Sequence, residues 1–103
     1  MKWVGCDPSN STITSIIIGT FSVFVGPIND NIQNLKNLTM LVFYNTSLSG
    51  TTIPSSIGNL SNLNVLVFFN SQLNGVIPQT ISNLKNLTHL DLSFNHLIGT
   101  IPD

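Results

Sequence analysis

The pattern of residues 35–59, LKNLTMLVFYNTSLSGTTIPSSIGN, returns in register as residues 60–83, LSNLNVLVFFNSQLNGVIPQTISN, and again as residues 84–103, LKNLTHLDLSFNHLIGTIPD. The glycines after each turn, Gly26, Gly50, Gly75 and Gly99, stand 24, 25 and 24 residues apart. Self-similarity at such a period marks a solenoid, in which each unit touches its neighbours rather than a common centre. The one additional residue lies in Thr51-Thr52, where a convex loop absorbs it.

Within a unit, apolar residues follow Leu87-x-x-Leu90-x-Leu92 and then Asn95-x-Leu97. A period of two that gives way to a longer step describes a short strand feeding a tight turn. Leu38, Leu41, Phe43 and Leu48 are the equivalents in one unit, and Leu63, Leu66, Phe68 and Leu73 in the next. A degenerate first unit carries Ile13, Ile16, Ile18 and Phe24. Each unit also has an Ile-Pro turn or its remnant, at Ile28-Asn29, Ile53-Pro54, Ile77-Pro78 and Ile101-Pro102. The apolar residues of one unit cannot offset the entropy of ordering its backbone, so adjacent units must share a continuous core. Strands are expected near residues 14–18, 39–43, 64–68 and 88–92, joined by convex turns with little regular helix.

These repeats resemble the plant-type leucine-rich repeat, L-x-x-L-x-x-L-x-L-x-x-N-x-L-x-G-x-I-P, from about Ile13 to Asp103. The resemblance implies a right-handed α/β-type solenoid of about four repeats, starting near residues 13, 35, 60 and 84. Its parallel sheet would form the concave face, with turns and short 3-10 segments on the convex face. Trp3-Val4-Gly5-Cys6-Asp7 is similar to the end of the N-terminal cap of plant receptor kinases and polygalacturonase-inhibiting proteins, which makes residues 1–12 a cap remnant. Residues 84–102 are especially similar to those inhibitors and their antifreeze relative. Asn95 alone holds the family's ladder position; Thr46 and Ser71 stand there in the other clear units, and a hydroxyl makes fewer bonds than an amide, so looser early coils are expected.

Charged residues are only 7 % of the chain, against 42 % hydrophobic. Lys2, Lys36 and Lys85, without any Arg, leave too little positive charge to neutralise phosphates, which argues against nucleic acid and anionic membrane surfaces. The apolar stretch 13–28 is short and interrupted by Thr, Ser, Gly and Pro, so it does not span a bilayer as a helix. Met1-Lys2-Trp3 has no apolar run leading to a small-residue cleavage site, so no signal peptide is expected here. An extracellular or cell-wall setting follows from the resemblance alone. Cys6 is the only cysteine, and it reads as a cap cysteine without a partner in this sequence. Both ends of the hydrophobic column are expected to be exposed, which would allow end-to-end self-association.

Catalysis finds little support. The acids Asp7, Asp30, Asp91 and Asp103 show no glycosidase-like pairing. His89 and His96 have no second ligand at metal spacing, so neither metal nor cofactor is expected. His89, Asp91 and Ser93 have the composition of a catalytic triad, but they alternate along one strand with the carboxylate in the middle, where a relay needs the imidazole. Asn10, Asn37, Asn45, Asn59 and Asn86 begin N-glycosylation sequons, some of them part of the repeat itself.

A binding surface is the stronger expectation. Alternation places Ser15, Ile17 and Gly19, then Met40, Val42 and Tyr44, then Val65, Val67 and Phe69, then His89, Asp91 and Ser93 on the concave face, with Phe94 following. Their centre reads as an exposed apolar patch with aromatic anchors for an extracellular protein or peptide, as in an inhibitor or a receptor ectodomain. The antifreeze relative adds an alternative, ice binding by the file Thr14, Thr39, Asn64 and Thr88.

Overall fold

The computed structural model describes residues 2–6 as backbone, together with residues 13–19, 28–48 and 50–102. Asn10, Phe24, Gly26 and the Cys6 thiol lie outside the described residues. Among the described residues there are seven short strands: β1 Lys2–Cys6, β2 Ile13–Ile18, β3 Met40–Tyr44, β4 Val65–Phe69, β5 Asn74–Val76, β6 His89–Asp91 and β7 His96–Ile98. The same residues include three 3-10 segments, each between two strands of the main sheet: η1 Asp30–Asn34, η2 Ser55–Asn59 and η3 Gln79–Asn83. Among the described residues there is no helix long and apolar enough to cross a membrane.

The main sheet runs β1-β2-β3-β4-β6, with β2, β3, β4 and β6 parallel in unbroken register. Leu41 pairs with Ile16 on one side and Leu66 on the other, and Leu66 continues to Leu90. The four expected strands are therefore present, though β3 and β4 start and end one residue later and β6 stops at Asp91. Two elements depart from expectation. β1, within the expected cap remnant, pairs antiparallel with β2, so backbone covers that edge of the sheet. β5 and β7 form a second parallel sheet just past the turn.

Side-chain alternation along β3 and β4 is strict, with Leu41, Phe43, Leu66 and Phe68 buried and the residues between them half-buried. Phe43 and Phe68 pack in a tilted pair with ring centroids 5.6 Å apart, joining two coils through the core. Opposite the sheet, Ile57 and Ile81 point inward from η2 and η3. Pro54 and Pro78 precede these segments at φ −70° and −66°, the value a proline ring imposes. Asn29 replaces that proline before η1, and its Oδ1 accepts from the Asn31 N–H at 2.9 Å. The repeat's glycines follow from backbone geometry: Gly50, Gly75 and Gly99 sit at φ 80°, 81° and 85°, a region costly for a side chain.

Candidate functional site

The ladder inside the turns fixes how the outer face is presented. Asn95 Nδ2 donates to the carbonyls of Phe68, Leu92 and Ser93, while Oδ1 accepts from the N–H groups of Ser71 and Leu73. In the earlier coils a hydroxyl relay takes its place. Thr46 Oγ1 donates to Ser71 Oγ at 3.1 Å, and Ser71 Oγ reaches the Phe69 carbonyl at 3.1 Å. Both hydroxyl residues are buried, so bonds that water would otherwise make are supplied within the stack.

Register places the sequence-predicted face in columns across the sheet. Ser15, Met40, Val65 and His89 form one; Ile17, Val42, Val67 and Asp91 form the next; Tyr44 and Phe69 begin a third. The central six are half-buried rather than openly exposed, which corrects the expectation of an exposed patch. Strands about 4.8 Å away on either side shield the base of each side chain. Tyr44 is covered further by its own geometry: a Cβ at Gly19 would fall 2.0 Å from Tyr44 Cζ, so the ring lies over that glycine.

Among the described residues the most exposed large apolar groups gather instead at the last coil and the second sheet, at Val76, Leu90, Phe94, Ile98 and Ile101. Phe94 is distinctive among them. It ends a file of left-handed residues, Asn45 at φ 53°, Asn70 at φ 51° and Phe94 at φ 59°. Asn adopts this region readily, and Asn70 Nδ2 also donates to Asn45 Oδ1 at 2.9 Å. A phenylalanine there costs about 1–2 kcal/mol. Its ring is 74 % exposed and meets Phe69 edge to face at 5.3 Å, a contact that offsets only part of that cost. The Asn-Asn-Phe file was readable in the sequence as a column, but its positive φ was not.

Asp91 accepts from both the hydroxyl and the backbone N–H of Ser93. These two bonds, the hydroxyl's first, hold its carboxyl below the ordinary carboxylate value; burial opposes them weakly, and His89 adds a smaller lowering. Ser93 therefore engages the carboxylate directly and no imidazole stands between them. Among the described residues no three His, Cys, Asp or Glu side chains cluster as metal ligands.

The polar file of the ice alternative is tied into the stack. Thr39 Oγ1 donates to the Thr14 carbonyl at 3.0 Å, and Thr88 Oγ1 to the Asn64 carbonyl at 3.2 Å. Of the sequons, Asn37, Asn45, Asn59 and Asn86 are exposed. Asn59 and Asn86 already use Nδ2, the atom a glycan would take, as a donor to Gln33 Oε1 and to the Ser61 carbonyl.

The leucine-rich-repeat family model matches residues 86–103. No curated protein sequence matches the chain. Among solved structures, a plant ice-binding protein is 32 % identical with a TM-score of 0.76, over 96 % of this chain and 32 % of its own. The plant peptide hormone receptor RGFR1, in complex with RGF2, is 26 % identical with a TM-score of 0.82, over 96 % and 18 %. The BIR3–SERK2 complex from Arabidopsis thaliana is 32 % identical with a TM-score of 0.76, over 96 % and 53 %. The chain thus spans well under two thirds of each of these proteins. With strands in parallel register, a shared core column and these likenesses, the chain has the fold of a small leucine-rich-repeat solenoid and is similar to plant leucine-rich-repeat proteins.

Proposed function

We propose that this chain is a non-catalytic, extracellular recognition module whose outer sheet face binds a protein or peptide. The observation that carries the reading is the pairing of Met40 with Val65, Val42 with Val67 and Tyr44 with Phe69 on one face, over a core whose Leu41, Leu66 and Phe68 lie on the other. Half-buried apolar columns on rigid strands offer preformed contact area at little entropic cost. Two of the similar structures, RGFR1 with RGF2 and BIR3 with SERK2, are complexes with a peptide or protein, which supports the same use of this chain. Met40, Val42, Tyr44, Val65, Val67 and Phe69 would supply the apolar contact, and His89, Asp91 and Phe94 one end of it. Plant defence by inhibition of a polygalacturonase is a narrower form of this reading.

Ice binding is the second reading, favoured by the likeness to a plant ice-binding protein. Against it, the Thr39 and Thr88 hydroxyl hydrogens are spent on neighbouring carbonyls, and Asn64 interrupts the hydroxyl file. Wild-type protein assayed for polygalacturonase inhibition, peptide capture and ice recrystallisation separates the readings. Phe69→Asp should abolish capture or inhibition with the melting transition retained, and Thr39→Leu with Thr88→Leu should leave them intact. Ice shaping that survives Phe69→Asp but is lost in the double threonine variant would replace this proposal with the second reading.

A further inference from the structure

The outer face is nearly free of charge, and its one described carboxylate sits beside its aromatic pair. Of the two described acids, Asp30 lies in η1 and accepts from Ser56 Oγ at 2.9 Å, whereas Asp91 lies on β6 across from Val67. Phe69 is the next residue beyond Val67 on the same face of β4. A strand spacing of about 4.8 Å and a two-residue rise of about 6.7 Å put the Asp91 and Phe69 Cα atoms roughly 8 Å apart. Phe94 closes the corner, mostly exposed and edge-on to Phe69. The described lysines, Lys36 and Lys85, stand in the turns that precede β3 and β6. His89 is the basic neighbour on the face, and it pairs with Val65 on the side of Asp91 away from Phe69.

A carboxylate held by Ser93 beside the half-buried Phe69 and the exposed Phe94 matches a cation carried on an apolar stem. A guanidinium or ammonium group can pair with the carboxylate while its stem or its charge lies against a ring. We propose that Asp91, Phe69 and Phe94 form a subsite for an arginine or lysine side chain of an extended peptide, whose neighbouring uncharged residues lie over Val42 and Val67. The inference rests on the recognition reading above and gives it a partner chemistry. A partner presenting a carboxylate at this corner is disfavoured by the fixed charge of Asp91.

The test pans the complete 103-residue chain against phage-displayed random heptapeptides, with a melting curve for each variant. Wild-type binders should be enriched in Arg or Lys next to apolar residues by about tenfold or more, the scale of a hydrogen bond to a charged group. Asp91→Asn, which can still accept from Ser93, should keep apolar binders but lose the basic preference. Asp91→Lys should turn that preference to Asp or Glu, and Phe94→Asn should weaken it without lowering the melting temperature. Binders without basic enrichment, or enrichment that survives Asp91→Asn, would overturn the subsite and leave the recognition reading standing. An absence of binders to the wild type would overturn both.

Discussion

The second and third coils differ from the fourth in the number of their neighbours. Leu41 and Leu66 each have a strand on both sides and are fully buried, while Leu90, the same column position on the outermost strand β6, is 48 % exposed. Leu48 and Leu73 are buried where their equivalent Leu97 is only partly so. Identical residue types at identical repeat positions thus acquire different burial from stacking alone. In a solenoid of this kind, stability belongs to interfaces between coils more than to the coils themselves.

The largest expected effect exploits that contrast. Leu66→Asp puts a carboxylate without a partner into the buried column and should unfold the chain, since several kcal/mol is comparable with the whole stability of a small domain. Leu90→Asp should retain a cooperative transition, because its side chain already meets water. Equal loss of circular dichroism in both variants would erase the distinction between the coils.

Next in size is the ladder. Asn95→Ala removes a side chain that bonds three carbonyls and two N–H groups, several of them in the preceding coil, and should cost about 2–3 kcal/mol by urea denaturation. Ser71→Ala should cost about 1 kcal/mol, with Thr46 Oγ1 losing one acceptor. The amide, although in the less buried coil, is thus expected to matter more than the hydroxyl.

Phe94→Asn should act in the opposite direction. Replacing a bulky left-handed residue with one suited to φ 59° is expected to stabilise the last coil by up to about 1 kcal/mol, less whatever the edge contact with Phe69 contributed. A lower melting temperature would mean that the aromatic pair outweighs the backbone term.

The smallest effect is in pH. Because Ser93 holds the Asp91 carboxyl below its ordinary value, the ionised form favours the folded state. Its contribution is fully present above the unfolded carboxyl's pKa and fades as pH falls through the lower folded value. Exposure to solvent keeps the effect small. Ser93→Ala should flatten this part of the acid titration of stability, and an unchanged acid limb would assign that limb to other groups.

The repeat period, the buried positions Leu38, Leu41, Leu63 and Leu66, and the outward columns were all legible, because a period of two on a strand assigns faces without further information. A one-residue slip would have buried Asp91, so the polar residues of the last unit fixed the register. β1 was not legible, since Trp3-Val4-Gly5 carries no clear alternation and its antiparallel partner lies beyond residues 7–12. The half-burial of Tyr44 was equally hidden, because it depends on Gly19 in another coil lacking a side chain. The strain at Phe94 appears only in the folded backbone, as nothing in Ser93-Phe94-Asn95 forces a left-handed residue.

Hydrogen exchange resolved by residue tests most directly the claim that neighbouring coils create the rigid platform behind the recognition face. Amides of β3 and β4 should exchange only with global unfolding, whereas those of β6 and β7, with a stacked partner on one side, should exchange through local opening at lower free energy. Uniform protection across all four parallel strands, or protection greatest in β6, would contradict it.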